Sequence, residues 1–154
     1  LIANESQIEE AITRLSRVGF DNVLGYLEGG LEAWVDNGKE TDHIETADAQ
    51  AFADALDANP QTKVVDVRKS GEFASEHVEG AIHISLEFLA NKIDFIPKDE
   101  TFYLHCAAGY RSLIAHSLLK AHGYHNAIDI LGGFKAISKT DAPRTNAVCP
   151  SSLK

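Results

Sequence analysis

The sequence predicts an α/β fold: an open parallel sheet with helices on both faces, preceded by a partial second copy of the same unit. Three observations carry that expectation. Short apolar runs such as Val64-Val65 and Ala127-Ile128 alternate with stretches of helical period between residues 44 and 138. Turn residues separate them, at Asn59-Pro60, Gly80, Pro97, Gly109, Gly123 and Gly132-Gly133. Residues 19–34 then repeat the pattern of residues 123–137.

The complete unit, placed at 42–148, opens at Ile44-Glu45. Thr46 or Asp48 caps a helix carried by Ala51, Phe52, Ala55 and Leu56, and Asn59-Pro60 stops it. A strand over 64–67 precedes a short helix near 71–75. A strand over 81–84 leads to a helix around 86–93, and Pro97-Lys98-Asp99 makes a turn. A strand over 101–105 is followed by a helix over 111–121 that ends near Gly123. A strand over 126–130 and a helix over 133–138 complete the unit, and the polar stretch from Asp141 reads as irregular. Residues 149–154 are a tail.

The chain has 154 residues and a formal net charge of −9, which suits a soluble globular domain. That acidic balance argues against nucleic acid as a partner. No apolar run approaches the roughly 20 residues of a membrane helix. Two cysteines are too few for a disulfide scaffold, which points to a reducing, cytoplasmic setting. The seven histidines show no metal-binding spacing, so neither metal nor cofactor is expected in this chain. It holds no methionine and starts inside what reads as structure, so it reads as a piece of a longer polypeptide.

Chemistry concentrates in Cys106-Ala107-Ala108-Gly109-Tyr110-Arg111. A buried strand hands a cysteine to a helix through a tight loop, whose N–H groups can converge on one anion with help from the helix N-terminus. Arg111 adds a full charge at the lip. An ordinary thiol, with a pKa of about 8.5, is only about 3% thiolate at pH 7; lowering the pKa to roughly 6.5 gives about 25-fold more nucleophile. Ser112 either donates its hydroxyl to the sulfur or caps the helix, the cap being the favoured role. Tyr110 lines the pocket mouth or packs. Asp66 and Arg68, at the end of a strand, read as a buttress for the loop, with Glu72 a candidate extra partner of Arg68. Cys149 is a candidate resolving thiol in a polar tail.

Four segments in order resemble the rhodanese (sulfurtransferase) family: Val64-Val65-Asp66-Val67-Arg68, the run from Glu72-Phe73 through His77-Val78-Glu79-Gly80-Ala81-Ile82-His83-Ile84, the cysteine loop, and Leu131-Gly132-Gly133-Phe134-Lys135-Ala136. The family's sulfurtransferases have a six-residue loop from cysteine to arginine. Its phosphatase and arsenate-reductase relatives have one residue more. Here four residues separate Cys106 from Arg111, and position 105 is His105, which favours sulfur over phosphoryl chemistry.

The resemblance implies that Cys106 takes sulfane sulfur from thiosulfate, a polysulfide or a thiol persulfide, that the amides from Ala107 to Ser112 hold it, and that a nucleophile removes it. With Ala107 and Ala108 uncharged and the chain acidic, a thiol persulfide such as glutathione persulfide is expected to outperform thiosulfate. The alternative is a non-catalytic regulatory or interaction module of the same fold.

The first forty-one residues read as the C-terminal half of a degenerate copy. Gly19-Phe20-Asp21-Asn22-Val23-Leu24 matches Gly123-Tyr124-His125-Asn126-Ala127-Ile128, and Gly29-Gly30-Leu31-Glu32-Ala33-Trp34 matches Gly132-Gly133-Phe134-Lys135-Ala136-Ile137. Aligning the helices sets Ile2 opposite Cys106 and residues 3–7 opposite 107–111, so this copy has no nucleophile. So short a piece buries little, and Phe20, Leu31 and Trp34 are expected to pack on the second unit or a partner, including a second copy of the chain. A truncated unit followed by an intact one resembles the C-terminal region of metallo-β-lactamase-fold/rhodanese fusion proteins. That resemblance implies an upstream hydrolase-fold domain, where any metal would reside.

Overall fold

The computed structural model describes residues 1–17, 19 and 21–147. The chain divides into two units, residues 1–43 and residue 44 onward.

In the second unit five parallel strands form one sheet in the order β1-β5-β4-β2-β3. They are β1 (Thr46–Ala47), β2 (Lys63–Asp66), β3 (Ile82–His83), β4 (Phe102–His105) and β5 (Ala127–Ile130). Parallel strands need crossovers, and these run over both faces. Helices α3 (Ala49–Ala58) and α6 (Gly133–Ile137) cover one face, where Phe52, Leu56, Val64, Ile130 and Ile137 are buried. Helix α5 (Tyr110–Ala121) covers the other, over Val65, Leu104, Cys106, Ala115, Leu119 and Ala127. The short α4 (Ser70–Ser75) follows β2.

Several expectations are corrected. Asp48, not Thr46, caps α3: its carboxylate accepts the Ala51 N–H at 2.7 Å, while Thr46 lies in β1. The helix expected around 86–93 is two 3₁₀ segments, Leu86–Asn91 and Ile93–Phe95. Three residues per turn set Leu86 and Leu89 on one side, toward the core that Ile93 and Ile96 also join. Residues 141–147 form no helix or strand, as expected, and are nevertheless pinned. Arg144 donates to the carbonyls of Ile137, Thr140 and Ala142 and to the Glu76 carboxylate, closing the open end of α6. Thr145 N–H reaches the His77 carbonyl at 2.9 Å.

The first unit contains α1 (Ile8–Ser16) and α2 (Gly30–Asp36). The Leu1 amine donates to the Gly25 carbonyl at 2.7 Å and Leu27 N–H to the Leu1 carbonyl at 2.8 Å, the bond pattern of a parallel strand pair. A Cβ on Gly30 would lie 3.2 Å from the Ala3 carbonyl oxygen. Ala3, rather than Ile2, is therefore the residue under the glycine pair, as Cys106 is in the second unit. Leu31 and Trp34 are exposed, and Phe20 lies outside the described residues.

Candidate active site

Strand β4 delivers Cys106 to the C-terminal edge of the sheet, and the loop turns at Gly109 (φ +104) into α5. What holds the loop lies behind it. Phe134 N–H donates to the Cys106 carbonyl at 2.7 Å and Lys135 N–H to the Ala107 carbonyl at 3.0 Å. His105 Nδ1 lies 3.1 Å from the Cys106 oxygen. The loop carbonyls are thus drawn toward the start of α6, which leaves loop amides for the sulfur. Gly133 makes this approach possible. A Cβ there would lie 2.5 Å from the Cys106 oxygen and 2.9 Å from Ala107 C and Ala108 N, and its φ is +56. Only glycine fits both demands.

On the sulfur side, Gly109 N–H donates to Cys106 Sγ at 3.2 Å. Burial pushes the thiol's pKa up. The Ser112 hydroxyl and the N–H groups of Ser112, Ala108 and Gly109 outweigh that and leave it below its ordinary value. Cys106 itself is 1% exposed, whereas Ala108 and Tyr110 are exposed and Ala107, Gly109 and Arg111 half-buried around it. Ser112 is the third residue of α5, not its cap; Gly109 occupies the capping position, and the Ser112 hydroxyl lies 3.0 Å from the Gly109 carbonyl.

Arg111 does not present a free fork. Its Nη1 and Nη2 bind the Glu72 carboxylate at 2.7 and 2.8 Å. Glu72 is held down to about 2 by that Arg111 bond, against its partial burial. Glu72 therefore hydrogen-bonds Arg111, while Arg68, the candidate partner, adds only a weaker electrostatic pull. Arg68 is buried and satisfied elsewhere: its Nε binds Asp66 at 2.8 Å and its Nη2 the Glu76 carbonyl at 2.8 Å. Its guanidinium lies 3.8 Å from the centre of the Phe134 ring. Arg68, held by Asp66, thus sits against Phe134, the residue whose N–H holds the Cys106 carbonyl. Buried His105 has its Nε2 3.8 Å from Asp66 and is kept neutral by burial.

A cavity of about 230 Å³ beside Arg111 is lined by Val67, Lys69, Ser85, Leu86 and Glu87. A concavity of about 690 Å³ lies in the first unit among Ala3, Glu5, Gly30, Glu32 and Asp36 and has no nucleophile. Among the described residues no three His, Cys, Asp or Glu side chains are grouped to hold a metal ion, and no helix is long and apolar enough to cross a membrane. Cys149 lies outside the described residues.

A family model for the rhodanese-like domain matches residues 48–140. The chain belongs to the rhodanese-like domain family. Its relatives include "Putative sulfur carrier protein YrkF" of Bacillus subtilis, 26% identical over 56% of this chain and 46% of that protein. The adenylyltransferase and sulfurtransferase uba4 of Ogataea parapolymorpha is 29% identical over 76% of this chain and 30% of its own length. The chain therefore spans less than half of these two rhodanese-like relatives. "Putative sulfurtransferase YtwF" of Bacillus subtilis is 26% identical, over 68% of this chain and 98% of that one. Among solved structures, the rhodanese-related protein of Thermoplasma volcanium superposes with a TM-score of 0.57 at 25% identity, covering 66% of this chain and 98% of that one. The rhodanese-like domain of an Anabaena protein, at 21% identity, shares the fold with a TM-score of 0.62, covering 73% and 85%.

Sequence reasoning missed Gly133, His105 and the Glu72–Arg111 pair. The glycine doublet ahead of Phe134 was the available signal for the first.

Proposed function

We propose that this rhodanese-like domain is a sulfurtransferase working through a persulfide on Cys106. One observation carries the reading: the loop turns the Gly109 N–H onto the Cys106 sulfur at 3.2 Å, and hydrogen bonding from Gly109, Ala108 and Ser112 holds the thiol's pKa below its ordinary value despite burial. The Cys106 thiolate attacks the outer sulfur of a donor R–S–SH. The Sγ–S bond forms, the donor's S–S bond breaks, R–S⁻ leaves, and the proton stays on the transferred sulfur. A nucleophilic acceptor such as a thiolate then removes that sulfur and restores the Cys106 thiolate. Ala107, Ala108, Gly109, Tyr110, Arg111 and Ser112 surround the stored sulfur, and Asp66 and Arg68 support the loop.

Donor choice follows from charge. Glu72 offsets Arg111, the cavity beside it has Val67 and Leu86 in its lining, and the chain carries −9. A thiol persulfide with a methylene chain suits this surface better than a small dianion, so glutathione persulfide is the expected donor over thiosulfate. In the whole protein, an upstream hydrolase-fold domain in the cytoplasm would exchange the same small thiols.

A binding-module reading draws on two facts: Cys106 is 1% exposed and Arg111 is already paired. Intact mass after incubation with glutathione persulfide, a polysulfide or thiosulfate separates the two. Sulfur transfer predicts a gain of about 32 Da that disappears in Cys106→Ser. No adduct from any of these donors would favour the binding module.

A further inference from the structure

Strand β4 alternates its side chains between the two faces of the sheet. Phe102, Leu104 and Cys106 join the core under α5, while Tyr103 packs against Phe52 on the face of α3 and α6. His105 is fully buried, and its ring lies 6.0 Å from that of Phe134, centre to centre. It therefore stands on the α6 side, behind the cysteine. From there its Nδ1 reaches the Cys106 carbonyl at 3.1 Å. A carbonyl only accepts, so Nδ1 carries the ring's hydrogen and donates it. The same oxygen takes the Phe134 N–H at 2.7 Å, which fills both of its lone pairs. Among the described residues Nε2 has no hydrogen-bond partner; it stands 3.8 Å from the Asp66 carboxylate, which Arg68 occupies.

The Nδ1 bond fixes a peptide plane. In a trans peptide the C=O of one residue and the N–H of the next point opposite ways, and no described bond is cis. The Cys106 oxygen is turned toward α6, so the Ala107 N–H is turned toward the face that carries the Cys106 side chain. A reversed plane would set the carbonyl's partial negative charge on the side of the sulfur. It would also pull the loop off the path that puts Gly109 N–H 3.2 Å from Sγ. The Phe134 N–H alone is a single tether about which the carbonyl can pivot; a second donor removes that freedom.

We propose that His105 is a positioning residue for the chemistry of Cys106, holding the Cys106–Ala107 peptide with its carbonyl turned away from the sulfur. The inference rests on the proposed function only in taking Cys106 as the reactive group. The buried ring is neutral, so replacing it by an uncharged side chain alters no charge near the sulfur. Behind it Asp66 and Arg68 stay paired with each other, and at the lip Arg111, which acts on the sulfur electrostatically, stays on Glu72.

The test compares two nearly isosteric replacements in the full chain. His105→Asn keeps an N–H close to the place of Nδ1, and His105→Leu keeps the bulk but has no donor. The Cys106 Cβ NMR shift against pH reads the thiol's titration with no sulfur donor present. Wild type and His105→Asn are expected to share one midpoint. His105→Leu is expected to titrate about one pH unit higher, with about a tenfold smaller thiolate fraction below the midpoint. Equal midpoints in wild type and His105→Leu, or equal shifts in His105→Leu and His105→Asn, would overturn the proposal. Should His105→Leu fail to fold, the ring nitrogen NMR shifts of His105 in the wild-type chain decide: hydrogen on Nδ1 is the expected result, and hydrogen on Nε2 would overturn it. A midpoint that follows the donor, without sulfur loading, would sink only the proposed function.

Discussion

Gly132-Gly133 and Gly29-Gly30 adopt nearly the same left-handed backbone, with φ of +77 and +56 in one pair and +75 and +57 in the other. Each pair starts a short helix, and each lies under a carbonyl of an earlier segment. In the second unit that carbonyl belongs to Cys106, and the chain continues Ala-Ala-Gly-Tyr-Arg. In the first it belongs to Ala3, and the chain continues Asn-Glu-Ser-Gln-Ile. The platform is thus a property of backbone and two glycines, and the chemistry is a small set of side chains laid on it. A thiol, Gly109 at positive φ and a buried hydroxyl are present in one unit and missing from the other.

The platform can be broken hardest at Gly133. Gly133→Ala drives a Cβ to 2.5 Å from a carbonyl held by two N–H donors or ring nitrogens and imposes a left-handed alanine. Backbone strain of about 1–2 kcal/mol and a comparable packing cost sum to roughly 2–4 kcal/mol. Urea melts should show that loss, and sulfur loading on Cys106 should fall at least about tenfold. Gly30→Ala, with its nearest contact at 3.2 Å, should cost only the backbone strain of about 1–2 kcal/mol and leave sulfur loading unchanged. Equal effects of the two substitutions on loading would remove the contrast.

Charge at the lip gives a smaller effect. Glu72→Gln frees the Arg111 fork, so kcat/KM with thiosulfate should rise a few-fold relative to glutathione persulfide in steady-state assays. The same pair carries a pH signature. The folded-state pKa of Glu72 is depressed from 4.5 to about 2, so its contribution is present above pH 4.5 and lost as pH falls toward 2. Because the pair is about a third exposed, solvent screening limits the loss to about 1 kcal/mol, visible as an acid-side drop in stability that Glu72→Gln lacks.

The smallest effect is expected from Ala3→Cys, which adds a thiol to the bare platform. It should take up no sulfur in an intact-mass assay, because neither the converging amides nor the buried hydroxyl accompanies it. Sulfur loading at that position would show that the glycine platform alone suffices.

What could be read in the sequence was local. The alternation of apolar strands and helical periods set out the sheet, and a cysteine five residues before an arginine marked the loop. Contacts between distant segments were not legible. Glu72 and Arg111 are 39 residues apart, and nothing in either segment says that the carboxylate prefers Arg111 to the nearer Arg68. Ser112 reads as a capping residue, yet it is the buried third residue of α5, a placement decided by how that helix packs on the sheet. The offset between the two units was misjudged by one residue because helix patterns slide easily, whereas a carbonyl seated on a glycine does not.

Peptide-resolved mass spectrometry of the wild-type chain after brief exposure to glutathione persulfide tests the central claim most directly. The chain carries two thiols, Cys106 in the amide ring and Cys149 in the tail. Added sulfur on the Cys106 peptide, with the Cys149 peptide unchanged, is the predicted result. Sulfur on Cys149 alone, or equally on both, would contradict it.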